Sequence, residues 1–125
     1  MMVKFLYYVI VFFILVPQGL SQCSLRNMTM KQVKVAHEYV KNKPVWKVTI
    51  TNKCYCTQLD VKISCSGFKT VKPVHPSSMK MISRTKGLAL LNGGHPIYPY
   101  SSFSFTYAWS LPFRFSLVSS QIACS

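Results

Sequence analysis

The sequence predicts an all-β fold, a small disulfide-braced antiparallel β-sandwich of six to seven short strands behind a cleaved leader. Three observations carry this expectation. Apolar residues alternate with polar ones in several short runs, the period of a half-buried strand. Turn residues recur every few positions, and no long amphipathic helical pattern interrupts them. Five cysteines stand in a 125-residue chain, a density typical of small secreted domains whose core is too small to suffice.

The chain opens on Lys4 followed by an uncharged apolar run, Phe5 to Val16, ended by Pro17 and the small residues Gly19 and Ser21. That order is the order of a secretory signal peptide. The run is too short to span the roughly 30 Å of a bilayer's hydrocarbon. Residues 1–21 are therefore expected to be removed between Ser21 and Gln22, leaving residues 22–125 as one domain. No stable membrane insertion is expected.

Gln22 to Met30 is a lead segment with Cys23 and the sequon Asn27-Met28-Thr29, a glycan acceptor in a secreted chain. Lys31 to Val40 is the first expected strand, with Val33, Val35, His37 and Tyr39 on one face. Asn42-Lys43-Pro44 reads as a turn. Val45 to Cys65 holds three of the cysteines and the clearest alternation. Trp46, Val48 and Ile50 share one face, and Leu59, Val61, Ile63 and Cys65 share another. The short link Asn52 to Gln58 makes these two strands read as a hairpin, with Cys54 and Cys56 in the link.

Two prolines mark Lys69 to Pro76 as an edge strand or extended loop. Ser77 to Lys86 reads as a loop with one helical turn. Gly87 to Leu91 is a short apolar strand ended by the turn Asn92-Gly93-Gly94. Phe103, Phe105, Tyr107 and Trp109 alternate through the next strand. Phe113 to Cys124 forms the last, with a bulge expected at Ser119-Ser120.

Chemistry-bearing residues are few. Glu38 and Asp60 are the only carboxylates, against 15 Lys and Arg and a formal charge of +13. Acid-pair hydrolysis needs two carboxylates flanking one bond, and no nucleophile-elbow or phosphate-loop motif is present. Histidines 37, 75 and 95 share no motif. No catalytic residue, metal site or cofactor is expected. The disulfide candidates are Cys23, Cys54, Cys56, Cys65 and Cys124. Their odd number leaves at least one outside an intrachain bridge, and two bridges among five thiols allow fifteen arrangements. Cys54 and Cys56 are expected to pair elsewhere than with each other. The charge of a secreted chain points to acidic wall polysaccharide, an anionic membrane surface or an acidic protein surface rather than nucleic acid. Tyr98 and Tyr100, in a Pro-rich extended segment, are the candidates for stacking on a sugar ring.

One further reading rests on similarity. Trp46 to Phe68 (WKVTITNKCYCTQLDVKISCSGF), Pro76, the turn from Leu91 to Ile97, Phe105 to Trp109 and the terminal Cys124 together resemble the plant tapetum determinant family of small secreted cysteine-rich proteins. The resemblance covers Cys23 to Cys124. It implies an extracellular (apoplastic), non-enzymatic signalling ligand, read by the ectodomain of a leucine-rich-repeat receptor kinase in anther cell-fate specification. The family pattern has a cysteine where this chain has Ala89, so the resemblance implies a six-cysteine framework that has lost one member. A fainter likeness to plant β-sandwich carbohydrate-binding modules supports the same fold. It also supports the alternative of a cell-wall carbohydrate-binding protein.

Overall fold

The computed structural model describes residues 22–124, so the leader and Ser21 lie outside the described residues. Two antiparallel sheets face each other. One has three strands in the order β1-β2-β6, and the other has four in the order β4-β5-β3-β7. The strands are β1 (Met28–Val40), β2 (Lys43–Asn52), β3 (Thr57–Ser64), β4 (Met79–Ser83), β5 (Leu88–Leu91), β6 (Ser102–Ala108) and β7 (Ser116–Ala123). Single 3-10 turns occur at Leu25–Asn27 and Asn92–Gly94. The all-β sandwich expected from alternation is what the chain forms.

The inward faces follow the period of two. Val48 and Ile50 of β2 and Phe105 and Tyr107 of β6 meet Val61, Ile63, Ala89 and Leu91 from the other sheet. Phe68, Phe113 and Phe115 close one end of this core around Tyr107, with ring centroids 5.2–5.9 Å from one another or from the tyrosine. Phe113 and Phe115 precede β7 rather than lying in it, so the last strand starts later than Phe113.

β1 and β2 form a hairpin through Lys41 and Asn42, both at positive φ. This is the two-residue turn whose twist matches that of paired strands. It falls just ahead of the turn read from sequence, and Lys43 and Pro44 already pair with Val40 and Tyr39. Between the pairs Lys34–Trp46 and Tyr39–Pro44, β1 bulges, and His37 sits at φ 61°. The bulge breaks the expected common face of Val33, Val35, His37 and Tyr39. The core side of β1 is instead Met28, Met30 and Gln32.

The largest correction concerns the centre of the chain. β2 and β3 are not a hairpin: β2 pairs with β1 and β6, and β3 with β5 and β7. The link Lys53–Cys56 crosses from one sheet to the other. Alternation marks which face of a strand is buried, not which strand lies beside it. Within β3 the pattern also slips. Asp60 adopts φ 50°, and β3 carries one residue more than β7 between the pairs Leu59–Gln121 and Lys62–Ser119. The bulge moves Gln58, not Leu59, into the buried set with Val61, Ile63 and Cys65. Gly94, at φ 77°, abuts this bulge, and a Cβ there would stand 2.7 Å from Asp60 Oδ1. A matching slip on β7 falls at Val118, not at Ser119-Ser120, because Lys62 and Ile63 face Ser119 and Leu117. Ser77 to Lys86 is not a helical loop either. Met79–Ser83 extends to pair with β5, which buries Met79.

Candidate functional site

One end of the sandwich is built around the link between the sheets. Cys54 is bridged to Cys23, and Cys56 to Cys124. The C-x-C thus ties both ends of the described domain to the crossover, one cysteine to each. Closing loops of 31 and 68 residues restricts the unfolded chain strongly, by about 4 kcal/mol each. Sulfurs of Cys23, Cys56 and Cys124 lie within 4.8 Å of one another because the two bridges stack. All three are oxidised in these bridges, so the cluster offers no thiolate to a metal.

Two buried amides hold the link in place. Asn52 Nδ2 donates to the carbonyls of Cys56 (2.8 Å) and Ile97 (3.0 Å), while its Oδ1 accepts from the Cys54 amide (3.1 Å). Gln58 Nε2 donates to the Ser24 carbonyl (3.1 Å), and its Oε1 accepts from the Ser120 hydroxyl (2.6 Å). The backbones of Gln58 and Ile97 exchange two hydrogen bonds. These contacts lock the segment 97–101 against the cysteine link. Neither amide was singled out from the sequence. Only their place beside the two cysteines of the link could have hinted at them.

Tyr98 and Tyr100 therefore project from a braced segment, 63% and 69% exposed. Tyr55, between the two link cysteines, is 48% exposed, and the Asn52 bonds anchor its segment to that of the other two. Asn27 lies in the first 3-10 turn at the same end. Its Oδ1 accepts the Ser24 amide at 2.8 Å, a bond that leaves out Nδ2, the atom that would carry a glycan.

Away from this end, the outer face of the three-stranded sheet is a ladder of hydroxyls and lysines. Thr29, Thr51 and Ser102 form one cross-strand row, and Lys31, Thr49 and Ser104 the next. Val33, Lys47 and Thr106 form the third. Thr51–Ser102 and Thr49–Ser104 are hydroxyl contacts of 2.8 and 3.1 Å. Lys72 Nζ reaches Thr106 Oγ1 at 2.7 Å. At the aromatic end, Tyr107 donates to Gln32 Oε1 and accepts from the Phe113 amide at 2.9 Å. Burial raises the Tyr107 phenol above its ordinary value, and the Phe113 bond partly offsets this.

The remaining titratable groups are dispersed. Glu38 lies on β1 and Asp60 on β3, in different sheets. His37, His75 and His95 sit on three separate segments, all exposed. Cys65 is the one free cysteine of the chain's five and is fully buried. Burial pushes its thiol up from the ordinary value of 9.0. Its sulfur lies 3.5 Å from Met81 Sδ, packed as a small apolar group rather than poised as a nucleophile.

Comparison with known families places this geometry. Residues 24–125 match the family model described as Tapetum determinant 1, C-terminal. The chain belongs to the tapetum determinant 1 family. Among curated relatives, the chain is similar to Uncharacterized protein At1g05835 of Arabidopsis thaliana, 28% identical over 63% of this chain and 62% of the relative. It is also similar to TPD1 protein homolog 1 of Arabidopsis thaliana, 32% identical over 61% of this chain and 42% of the relative. The aligned part thus spans less than two thirds of either relative. No solved structure matches the chain. A small, doubly disulfide-bonded family member fits a secreted protein. Among the described residues, no helix is long and apolar enough to cross a membrane.

Proposed function

We propose that this protein is a secreted, non-enzymatic signalling ligand, read by the ectodomain of a leucine-rich-repeat receptor kinase in anther cell-fate specification. The observation that carries the reading is the family match over residues 24–125, which takes in every strand of the sandwich. In this reading residues 1–21 are a signal peptide cut between Ser21 and Gln22, residues 22–125 are the apoplastic domain, and Asn27 carries a glycan.

The geometry supports a ligand in two ways. The surface is preformed: two bridges and two buried amides brace the end that bears the tyrosines, so little ordering cost attaches to binding. The charge is one-sided. Without Lys4, 14 Lys and Arg stand against two acids, a net +12 by subtraction from +13. Such a surface hastens encounter with an acidic partner and makes it salt-dependent. The test is binding of the secreted protein to a panel of receptor-kinase ectodomains at low and high salt. Saturable binding that weakens with salt is expected. Absence of binding across the panel overturns the reading. Mass spectrometry of the secreted product should find a chain starting at Gln22 with a glycan on Asn27.

A second reading, a cell-wall carbohydrate-binding protein, is favoured by the exposure of Tyr98 and Tyr100. Saturable binding on a glucan array, abolished by Tyr98→Ala, would support it. Retention on pectin that salt alone removes would reflect only charge.

A further inference from the structure

A groove opens at the edge of the four-stranded sheet, away from the disulfide end. It lies between β4 and the segment 68–76, which leaves β3 and crosses to the other sheet, where Val71 and Thr70 bond to Ala108. The groove has a volume of about 540 Å³. Its floor is apolar, with Phe68, the buried Met79 and the half-buried Met81, and its rim is cationic, with Lys69, Lys80 and Arg84, all exposed. The chain's two acids, Glu38 and Asp60, both lie outside it. The rim cations therefore have no counter-charge from the groove itself.

Its wall is also a strand edge. Among the described residues β4 is the outermost strand of its sheet and pairs only with β5, and since the Met79 amide donates to the His75 carbonyl at 3.2 Å, the open part of that edge lies beyond the Met79 amide. An edge strand presents unpaired amides and carbonyls along one side, and an extended peptide can add to it. Methionine side chains adapt their shape to an apolar group laid on them.

From these features we infer that the groove binds an extended acidic peptide segment of a partner protein, with an apolar side chain seated between carboxylates. The carboxylates pair with Lys69, Lys80 and Arg84, the apolar side chain enters over Phe68, Met79 and Met81, and the peptide backbone runs along β4. An acidic polysaccharide fits less well. The Phe68 ring already packs against Tyr107, Phe113 and Phe115, which leaves no flat aromatic platform for a sugar, and a polyuronate has nothing to place on the methionines. The inference deepens the ligand reading above by naming the surface a receptor would touch.

The probe is the capped pentapeptide Asp-Glu-Phe-Glu-Asp, titrated into the isotope-labelled secreted protein and followed by amide chemical shifts. Two comparison ligands are the same peptide with glycine replacing phenylalanine and a trigalacturonate. Saturable shifts centred on β4 and residues 68–76 are expected, with the glycine peptide binding more weakly. The double variant Lys80→Glu/Arg84→Glu should weaken binding by about tenfold, well beyond Lys31→Glu/Lys47→Glu, which makes the same charge change on the other sheet's outer face. No shifts in the groove, equal loss in both double variants, or trigalacturonate binding there as tightly as the peptide would each overturn the inference. Ectodomain binding separates the two proposals. Binding retained by Lys80→Glu/Arg84→Glu refutes the groove as the receptor contact and leaves the ligand reading standing. If no ectodomain binds the unaltered protein, the ligand reading falls and the peptide titration alone decides the groove.

Discussion

Ala89→Cys should give the free thiol a partner and stabilise the fold. Cys65 and Ala89 are both fully buried, on neighbouring antiparallel segments. Ala89 faces Ile63 on one side and Met81 on the other. Cys65 continues β3 two residues beyond Ile63, and its amide donates to the Gly87 carbonyl. Its sulfur touches Met81, a residue of β4, so it lies across the intervening β5 segment that holds Ala89. Ile63, not Cys65, is the direct cross-strand partner of Ala89, so a sulfur added at position 89 reaches Cys65 along the diagonal between β3 and β5, on the core side they share. Closing a loop of about 25 residues restricts the unfolded chain by about 3.5 kcal/mol at 25 °C. Fitting one more heavy atom beside Met81 costs about 1–2 kcal/mol. The net gain is about 2 kcal/mol, which for a domain of this size raises Tm by about 8–16 °C. The assay is calorimetry of the secreted variant, with a thiol count in denaturant without reductant. The expected count is zero, and reduction should abolish the gain. Two free thiols in the variant, or an oxidised variant that melts below the parent, would refute the reasoning.

Asn52→Ala removes four hydrogen bonds and leaves the Cys56 carbonyl and the Cys54 amide without those side-chain partners, while the Ile97 carbonyl keeps its bond from Gln58 and the Tyr98 carbonyl its bond from Ser101. At about 1–3 kcal/mol per stranded group, a loss of about 2–5 kcal/mol is expected in chemical denaturation with the disulfides intact. A loss under about 1 kcal/mol would mean that Asn52 does not hold the link. Tyr107→Phe strands Gln32 Oε1 and the Phe113 amide and should cost about 2–4 kcal/mol in the same assay. Cys65 should resist alkylation at pH 8 in the folded protein and react once unfolded, because burial raises its pKa from 9.0. That shift also sets a pH dependence. Above the unfolded value the unfolded thiol releases its proton and the folded one keeps it, so stability is full below about pH 9 and falls as pH rises beyond it. A melting series from pH 8 to 10.5 should show this slope, and Cys65→Ala should flatten it. An identical slope in Cys65→Ala would refute the assignment.

Much of this protein was legible in its sequence, because alternation of side chains is a local property. Val48, Ile50, Phe105 and Tyr107 announce their buried faces through their spacing alone. Cysteine density announces a braced domain, and the run from Trp46 to Phe68 carries the family resemblance. An odd count implied at least one cysteine outside an intrachain bridge without saying which, and the family pattern implied that its partner was lost at Ala89.

What the tertiary structure decided is every matter of neighbourhood. β2 and β3 read as a hairpin because four residues part them, yet the link between them changes sheets, and its two cysteines bridge to residues near opposite ends of the chain, Cys23 and Cys124. A left-handed residue at Asp60 slips the register of β3, and because side chains alternate with a period of two, one extra residue exchanges Leu59 for Gln58 in the core. Met79–Ser83 has too weak a pattern to announce itself and becomes a strand only because β5 offers it an edge. The disulfide pairing, the two buried amides and the groove beside β4 depend on residues far apart in the chain, and contacts of that kind exist only once the two sheets have closed on each other.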